Sequence, residues 1–438
     1  MSRQKHRRIT VGLALVAALA IGLSTGCSSS SPGGTSSSSG PVTITFSYLW
    51  TGAEAKALES IISDFNASQS AIVVKGVSSP DFQKQLADMS ASKGSFDISD
   101  NFGNGVGAWA SKGILTPLDS YIKADNYDTS DFQAAAMQQV TYDGQIYSLP
   151  IAVHTFQLLY NKTEFQAAGI SAPPTTTEDL ATDIAKLTKV DASGNITQLG
   201  LGDPDIGTTI TTLGYAFGGT WDGTDNKTPS PTNPGNVAAL QFYQNNVIDK
   251  YGAAAVNKFT AGWGTYMSAQ DPFYTGKVAM IIDGEWQAVN IPTTAPNLNW
   301  GVVNIPVPAA SPNLAGTTQL TSSTLFIPAN SQHKQQAFEF MKYLTSPDAM
   351  TKFSLALGNL PARTSLADST AYASIPQFST WLQSLKGSNV HALASQPYSS
   401  QYATDLADAF NSVQTGTANA QTALQSVASK ATSYDTGA

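Results

Sequence analysis

From residue 42 onward, apolar Val42, Ile44, Phe46 and Tyr48 alternate with polar Thr43, Thr45 and Ser47. A period of two predicts a strand with one face against a core. The period then lengthens: Leu58, Ile61, Ile62 and Phe65 recur at the i, i+3, i+4, i+7 spacing of one helix face. A β-branched run over 71–77 predicts a second strand, Phe82, Leu86 and Met89 a second helix, and 96–99 a third strand. A helix through Trp109 and Ala110 should stop at Gly113. The alternation resumes after Pro150, with a strand over 157–160 and a helix through Leu180, Ile184 and Leu187. Thr175 and Glu178 have the spacing of a capping box for that helix. Further on come a helix over 237–248, a strand over 277–282 and a helical face at Ala337, Phe338, Met341 and Leu344. Ser346 and Pro347 read as N-cap and first residue of the next helix. Residues 200–223, rich in Gly and Thr, read as too polar for a core. Strand and helix in alternation predict an α/β fold, a sheet flanked by helices. Two such units with polar connectors predict two lobes and a cleft, and ligands of open α/β sheets sit off the carboxyl ends of the strands.

The first forty residues follow another logic. Arg3, Lys5, Arg7 and Arg8 precede an apolar run, Ile9 to Leu23, which ends in Ser24-Thr25-Gly26. A basic head, a short apolar stretch and small residues describe an export signal over 1–26, too short to span a bilayer. The single cysteine, Cys27, stands at the cleavage point and suggests lipid attachment there. The arrangement resembles the bacterial lipobox, with Ser24 where that pattern has Leu. Residues 28–40 are almost wholly Ser, Thr, Gly and Pro, so 27–40 reads as an acylated, flexible tether.

Charged residues make up 12% of the chain, about half the usual share. Four of the 23 basic and none of the 31 acidic residues precede Cys27, which leaves the remainder at a net −12. That balance argues against nucleic acid and against a basic membrane-binding face. One cysteine permits no internal disulfide framework. The four histidines, His6, His154, His333 and His391, include no pair at metal-ligand spacing, and no nucleotide-binding or nucleophile motif is present. No cofactor and no metal are implied. Asp283 and Glu285 could imitate a glycosidase pair, but residues i and i+2 of a turn rarely face each other at the required separation. Trp50, Trp221, Trp263 and Trp286 are more telling, since each lies at a strand end or in a polar loop beside Thr51, Asp222, Thr265 or Asp283. Tryptophan stacks on the C–H face of a sugar while carboxylates, amides and hydroxyls bond its rim. Core packing is the alternative for each of the four.

Residues 144–154, then Leu158-Leu159-Tyr160-Asn161-Lys162, Phe165, Ala168-Gly169-Ile170 and Pro173-Pro174-Thr175, resemble a stretch of the family 1 extracellular solute-binding proteins, the maltose-binding-protein-like receptors of ABC sugar importers. Phe273 to Met280 with Asp283-Gly284-Glu285-Trp286 resembles a second motif of that family. The resemblance implies a two-lobed fold with three crossings between lobes. Lobe one would hold 41–153 and 317–358, lobe two 154–308 and 364–438, with connectors at 309–316 and 359–363. It also implies a carbohydrate receptor without catalysis of its own, a monomer held at the outer membrane face by Cys27 and delivering a sugar to permease subunits. Ligand contacts would come from Trp50, Thr51, Asn101, Asn104, His154, Trp221, Trp263, Asp283, Glu285, Trp286 and Arg363. Asn101, Asn104 and His154 replace residues that contact maltose in maltose-binding protein, which points to a saccharide other than maltose. The same fold binding a non-sugar neutral solute, and a surface glycoside hydrolase, stay open.

Overall fold

The computed structural model describes residues 40–434 apart from Asp203 and Asp205. The expected export signal, Cys27 and nearly all of the tether lie outside the described residues. The described residues from 41 to 434 form one compact unit. Its principal strands are β1 (Val42–Tyr48), β2 (Ile72–Ser78), β3 (Ile98–Phe102), β4 (Ser148–Asn161), β5 (Ile196–Leu201), β6 (Val278–Gly284), β7 (Trp300–Val303), β8 (Thr318–Phe326) and β9 (Leu360–Pro361). They join, with short edge segments, in one sheet of 11 strands whose spine runs β2-β1-β3-β8-β4-β6-β5. The pairs β1–β2, β1–β3 and β5–β6 are parallel, while β8 and β4 run antiparallel to their neighbours.

The strand β4 is the element that organises the molecule. Its first half, up to Thr155, pairs with β8 and β9; its second half, from Phe156, pairs with β6 and β7. One chain therefore passes from one half of the sheet into the other. The sequence pattern predicts only its last part as a strand, because nearly every residue from 148 to 161 is buried and no alternation marks it. Four apolar clusters flank the sheet. One joins α1 (Gly52–Ser68) and two later helices, Lys334–Leu344 and Pro347–Leu357, to β1 and β8. Another collects β5, β6, α2 (Ile206–Ala216) and the C-terminal helices α3 (Ser399–Gln414) and α4 (Ala420–Ala431). A third, with Val153, Leu159, Met350, Leu360 and Trp381, draws on both halves of β4.

The expectation that 200–223 is too polar for a core is overturned. Helix α2 is buried from Thr209 to Ala216. Threonine is tolerated there because its hydroxyls find partners: Thr211 Oγ1 donates to Gly207 O at 2.8 Å and to Gln319 Oε1 at 2.6 Å. The helix over Thr177–Leu187 is capped one residue later than the spacing suggests, with Asp179 N donating to Thr176 Oγ1. Ser346 and Pro347 do open Pro347–Leu357, which Gly358 closes in the left-handed region at φ 69°.

Candidate functional site

At the end of β6 the sequence Asp283-Gly284-Glu285-Trp286 builds a small polar assembly against β4. Glu285 is fully buried, and its Oε1 accepts from His154 Nδ1 at 2.7 Å. Its second oxygen accepts from Thr155 N at 3.3 Å. His154 Nε2 reaches Ser323 Oγ on β8 at 3.0 Å. A carboxylate only accepts, so Nδ1 donates its proton to Glu285. Asp283 accepts from Tyr266 Oη at 2.9 and 3.0 Å and from Gln287 Nε2 at 2.6 Å. Burial pushes its carboxyl up to about 7 despite those donors. Tyr266 in turn accepts the indole N–H of Trp286 at 2.7 Å.

These bonds fix the indole. With its N–H satisfied by protein, half-buried Trp286 lies edge-to-face with His154 and Phe156 at 5.7 and 5.8 Å. Gly284 makes the arrangement possible, because a Cβ there would lie 2.2 Å from the indole ring. From the other half of the sheet, Glu54 at the start of α1 and Asp100 on β3 join the same neighbourhood. Glu54 is open to solvent, yet burial raises its pKa while nearby His154 pulls it down. Asp100 is buried, accepts from Leu49 N at 2.8 Å, and is pushed up to about 8 by burial, with the charge of Glu54 contributing. His154, between the two partner sets of β4, thus bonds Glu285 just past β6 and Ser323 of β8, and acts electrostatically on Glu54 of α1. The polar groups named here are neutral or acidic, a set suited to hydroxyls rather than to an anion.

Residues 50–351 match the family of bacterial extracellular solute-binding proteins. The chain belongs to this family. The solute-binding protein is 31% identical over 255 residues to a binding protein of Brucella abortus strain 2308, an overlap of 57% of this chain and 58% of that one. It thus matches little more than half the length of such curated relatives. It is 24% identical over 262 residues to the maltotriose-binding protein of Pyrococcus abyssi, covering 58% of this chain and 52% of that one. Among solved structures, the protein CpMnBP1 with mannotriose bound matches with a TM-score of 0.76 and 29% identity, over 89% of this chain and 100% of that one. The GacH receptor of Streptomyces glaucescens, solved unliganded and with acarbose, matches with a TM-score of 0.71 and 21% identity over 90% of this chain and 100% of that one. The fold is that of the two-lobed, type II binding proteins.

Of the residues expected at the site of this solute-binding protein, His154, Asp283, Glu285 and Trp286 are brought together. Asn101 lies next to Asp100 but spends its amide on Gln85 Oε1 at 2.7 Å, and Asn104 is exposed just beyond. Thr51 is exposed at the N-terminus of α1, where its side chain makes no capping bond. Trp50 leans edge-on against Phe353 at 5.1 Å, and Trp263 against Phe259 at 6.2 Å, so both contribute packing.

Two expectations are corrected. Trp221 is wholly buried: its N–H donates to Thr211 O at 2.9 Å, its ring meets Phe410 at 5.8 Å, and Gly214 presses against the indole. It is core, because the Gly- and Thr-rich segment before it folds into buried α2 rather than a loop. Arg363 is buried as well. Its guanidinium lies 4.4 Å from the Phe132 ring centre, donates to Thr345 O and Tyr127 Oη at 2.8 Å each, and pairs with Asp131 at 3.4 Å. Its charge is satisfied within the protein. Sequence reasoning missed Glu54, Asp100, Tyr266 and Ser323. A polar residue at the end of each predicted strand would have flagged Asp100, whereas Tyr266 and Ser323 carry no local signal.

Proposed function

We propose that this protein is a carbohydrate receptor, without catalysis of its own, that captures a neutral saccharide in the cleft at His154 and hands it to the permease subunits of an ABC importer. The observation that carries this reading is the tethered indole of Trp286: its polar edge is bound to Tyr266, and its remaining surface is half-buried beside His154 and Phe156. Sugar recognition combines such a fixed apolar face with neutral and acidic hydrogen-bonding groups around it. A hydrolase would need two carboxylates free to act on substrate, whereas Asp283 and Glu285 are each occupied by protein donors. The maltotriose named for one relative and the mannotriose bound in one structure agree with this reading.

In this reading, segments 41–153 and 317–358 form one lobe and 154–308 and 364–438 the other, with 309–316 and 359–363 as connectors. Ligand touching both lobes favours the closed form, because only there are both sets of contacts made. Cleavage after residue 26, lipid on Cys27 and the Ser/Gly tether would hold the monomeric receptor at the outer membrane face beside its permease. Among the described residues no helix is long and apolar enough to cross a membrane. The test is calorimetric titration of the protein and of Trp286→Ala with mono-, di- and trisaccharides. The protein is expected to bind, and the variant to lose about 10-fold or more in affinity with unchanged melting. Wild-type affinity in the variant would remove Trp286 from the site.

A further inference from the structure

Among the described residues other than glycine, Asn126, Asp143 and Asn226 take a positive φ, and their short polar side chains suit that region. Met267 takes one too, at φ 60°, without such a side chain. It lies in the loop over 261–277 that joins helix Ala253–Thr260 to β6. Ser268 N donates to Thr265 O at 3.1 Å, which closes a four-residue turn with Tyr266 and Met267 at its centre. A positive φ at the second central residue alone is the pattern of a type II turn, where glycine or asparagine is the usual occupant.

The turn is held against that strain. Met267 N donates to Asp271 Oδ2 at 2.8 Å, and the other oxygen of this buried carboxyl group accepts from Phe273 N at 2.8 Å. Ser268 Oγ donates to Thr265 O at 2.7 Å. At the neck of the loop a Cβ on Gly264 would lie 2.2 Å from Gln270 O, so the two limbs touch. A strained residue persists only where its surroundings over-determine it, and such residues gather at ligand clamps. Here the strain lies beside Tyr266, whose hydroxyl bonds both Asp283 and the indole of Trp286.

We propose that Met267 is a positioning residue for binding: its left-handed backbone aims Tyr266 at Asp283 and Trp286, and relaxation of the turn releases the indole. The limb after Met267 is fixed through Asp271 and Phe273, so rotation about the Met267 φ re-aims the residue before it. Tyr266 then leaves Trp286, and the indole N–H loses its partner. The consequence for affinity rests on the saccharide reading above; the hold on the indole does not.

The experiment follows the indole N–H of Trp286 by heteronuclear NMR in the full protein, assigns it by its loss in Trp286→Phe, and measures its exchange with solvent. Met267→Val puts a β-branched residue where φ must be positive and is expected to speed exchange about 5-fold or more. Tyr266→Phe removes the acceptor without touching the turn and should speed it as well. Met267→Asn and Met267→Gly suit positive φ and should keep exchange at or below the rate of the protein itself. Packing alone would give the opposite order, since valine keeps an apolar side chain while asparagine and glycine do not. Calorimetry with mannotriose and maltotriose should show Met267→Val weaker than Met267→Asn by about 3-fold or more for whichever sugar the protein binds. Unchanged exchange in Met267→Val, or exchange faster in the asparagine and glycine variants than in the valine one, overturns the positioning role. So does unchanged exchange in Tyr266→Phe, which decides the matter if the valine variant fails to fold. Binding of neither sugar overturns the saccharide reading, and the exchange rates still decide the role of Met267.

Discussion

The dipeptide Asp100-Asn101 shows how one strand end divides its labour. Asn101 spends its amide on Gln85 and on the next backbone N–H, while Asp100 is buried against Leu49 N. Burial holds the Asp100 carboxyl protonated up to about pH 8, far above the 3.8 of a free aspartate. The folded protein therefore binds a proton that the unfolded chain releases near pH 4, and stability falls as pH rises between those values. The contribution is fully present below the unfolded value and is lost as pH rises through about 8. Asp100→Asn keeps an acceptor for Leu49 N and removes the titration. At pH 9 the variant is expected to melt above the wild type by about 2–4 °C or more, a gap that narrows toward pH 5. Parallel melting curves from pH 5 to 9 would contradict the assignment. The acidic side chain at this strand end was visible in the sequence; its burial was not, because that depends on α1 and on Leu49 folding over it.

At the scale of elements, amphipathic helices and the alternating first strand were legible because each carries its period on one exposed and one buried face. The first part of strand β4 and helix α2 were not. Both are buried almost all round, so periodicity is lost, and the helix is built of threonines that are read as surface. Trp221 was misplaced for that reason alone. The start of helix Pro347–Leu357 was legible through Ser346 and Pro347, and the structure adds a demand at its end. Gly358 is left-handed, and a Cβ would lie 2.5 Å from a methyl of Val289. Val289 belongs to Gln287–Thr294, the helix that follows Trp286. Gly358→Ala is expected to destabilise by about 1–2 kcal/mol from backbone strain, with further cost from displacing Val289. Thermal unfolding measures this directly, and an unchanged midpoint would mean that the helix end relaxes freely.

For the whole molecule, motif resemblance carried the fold and half of the candidate site. His154, Asp283, Glu285 and Trp286 lie in two motifs, and the structure joins them through β4–β6 pairing. Glu54, Ser323 and Tyr266 come from three other regions of the chain, and only tertiary structure unites them. Arg363, expected among the ligand contacts, proved to be stacked and paired within the protein. With its charge occupied, the polar groups identified around His154 are hydroxyl, imidazole and carboxyl, which matches a neutral polyhydroxylated solute. The most direct test is native mass spectrometry of the protein purified from its own cells, with the released ligand weighed and fragmented. The account predicts a non-covalent adduct of a neutral saccharide. A phosphorylated metabolite or a peptide in that place would contradict it.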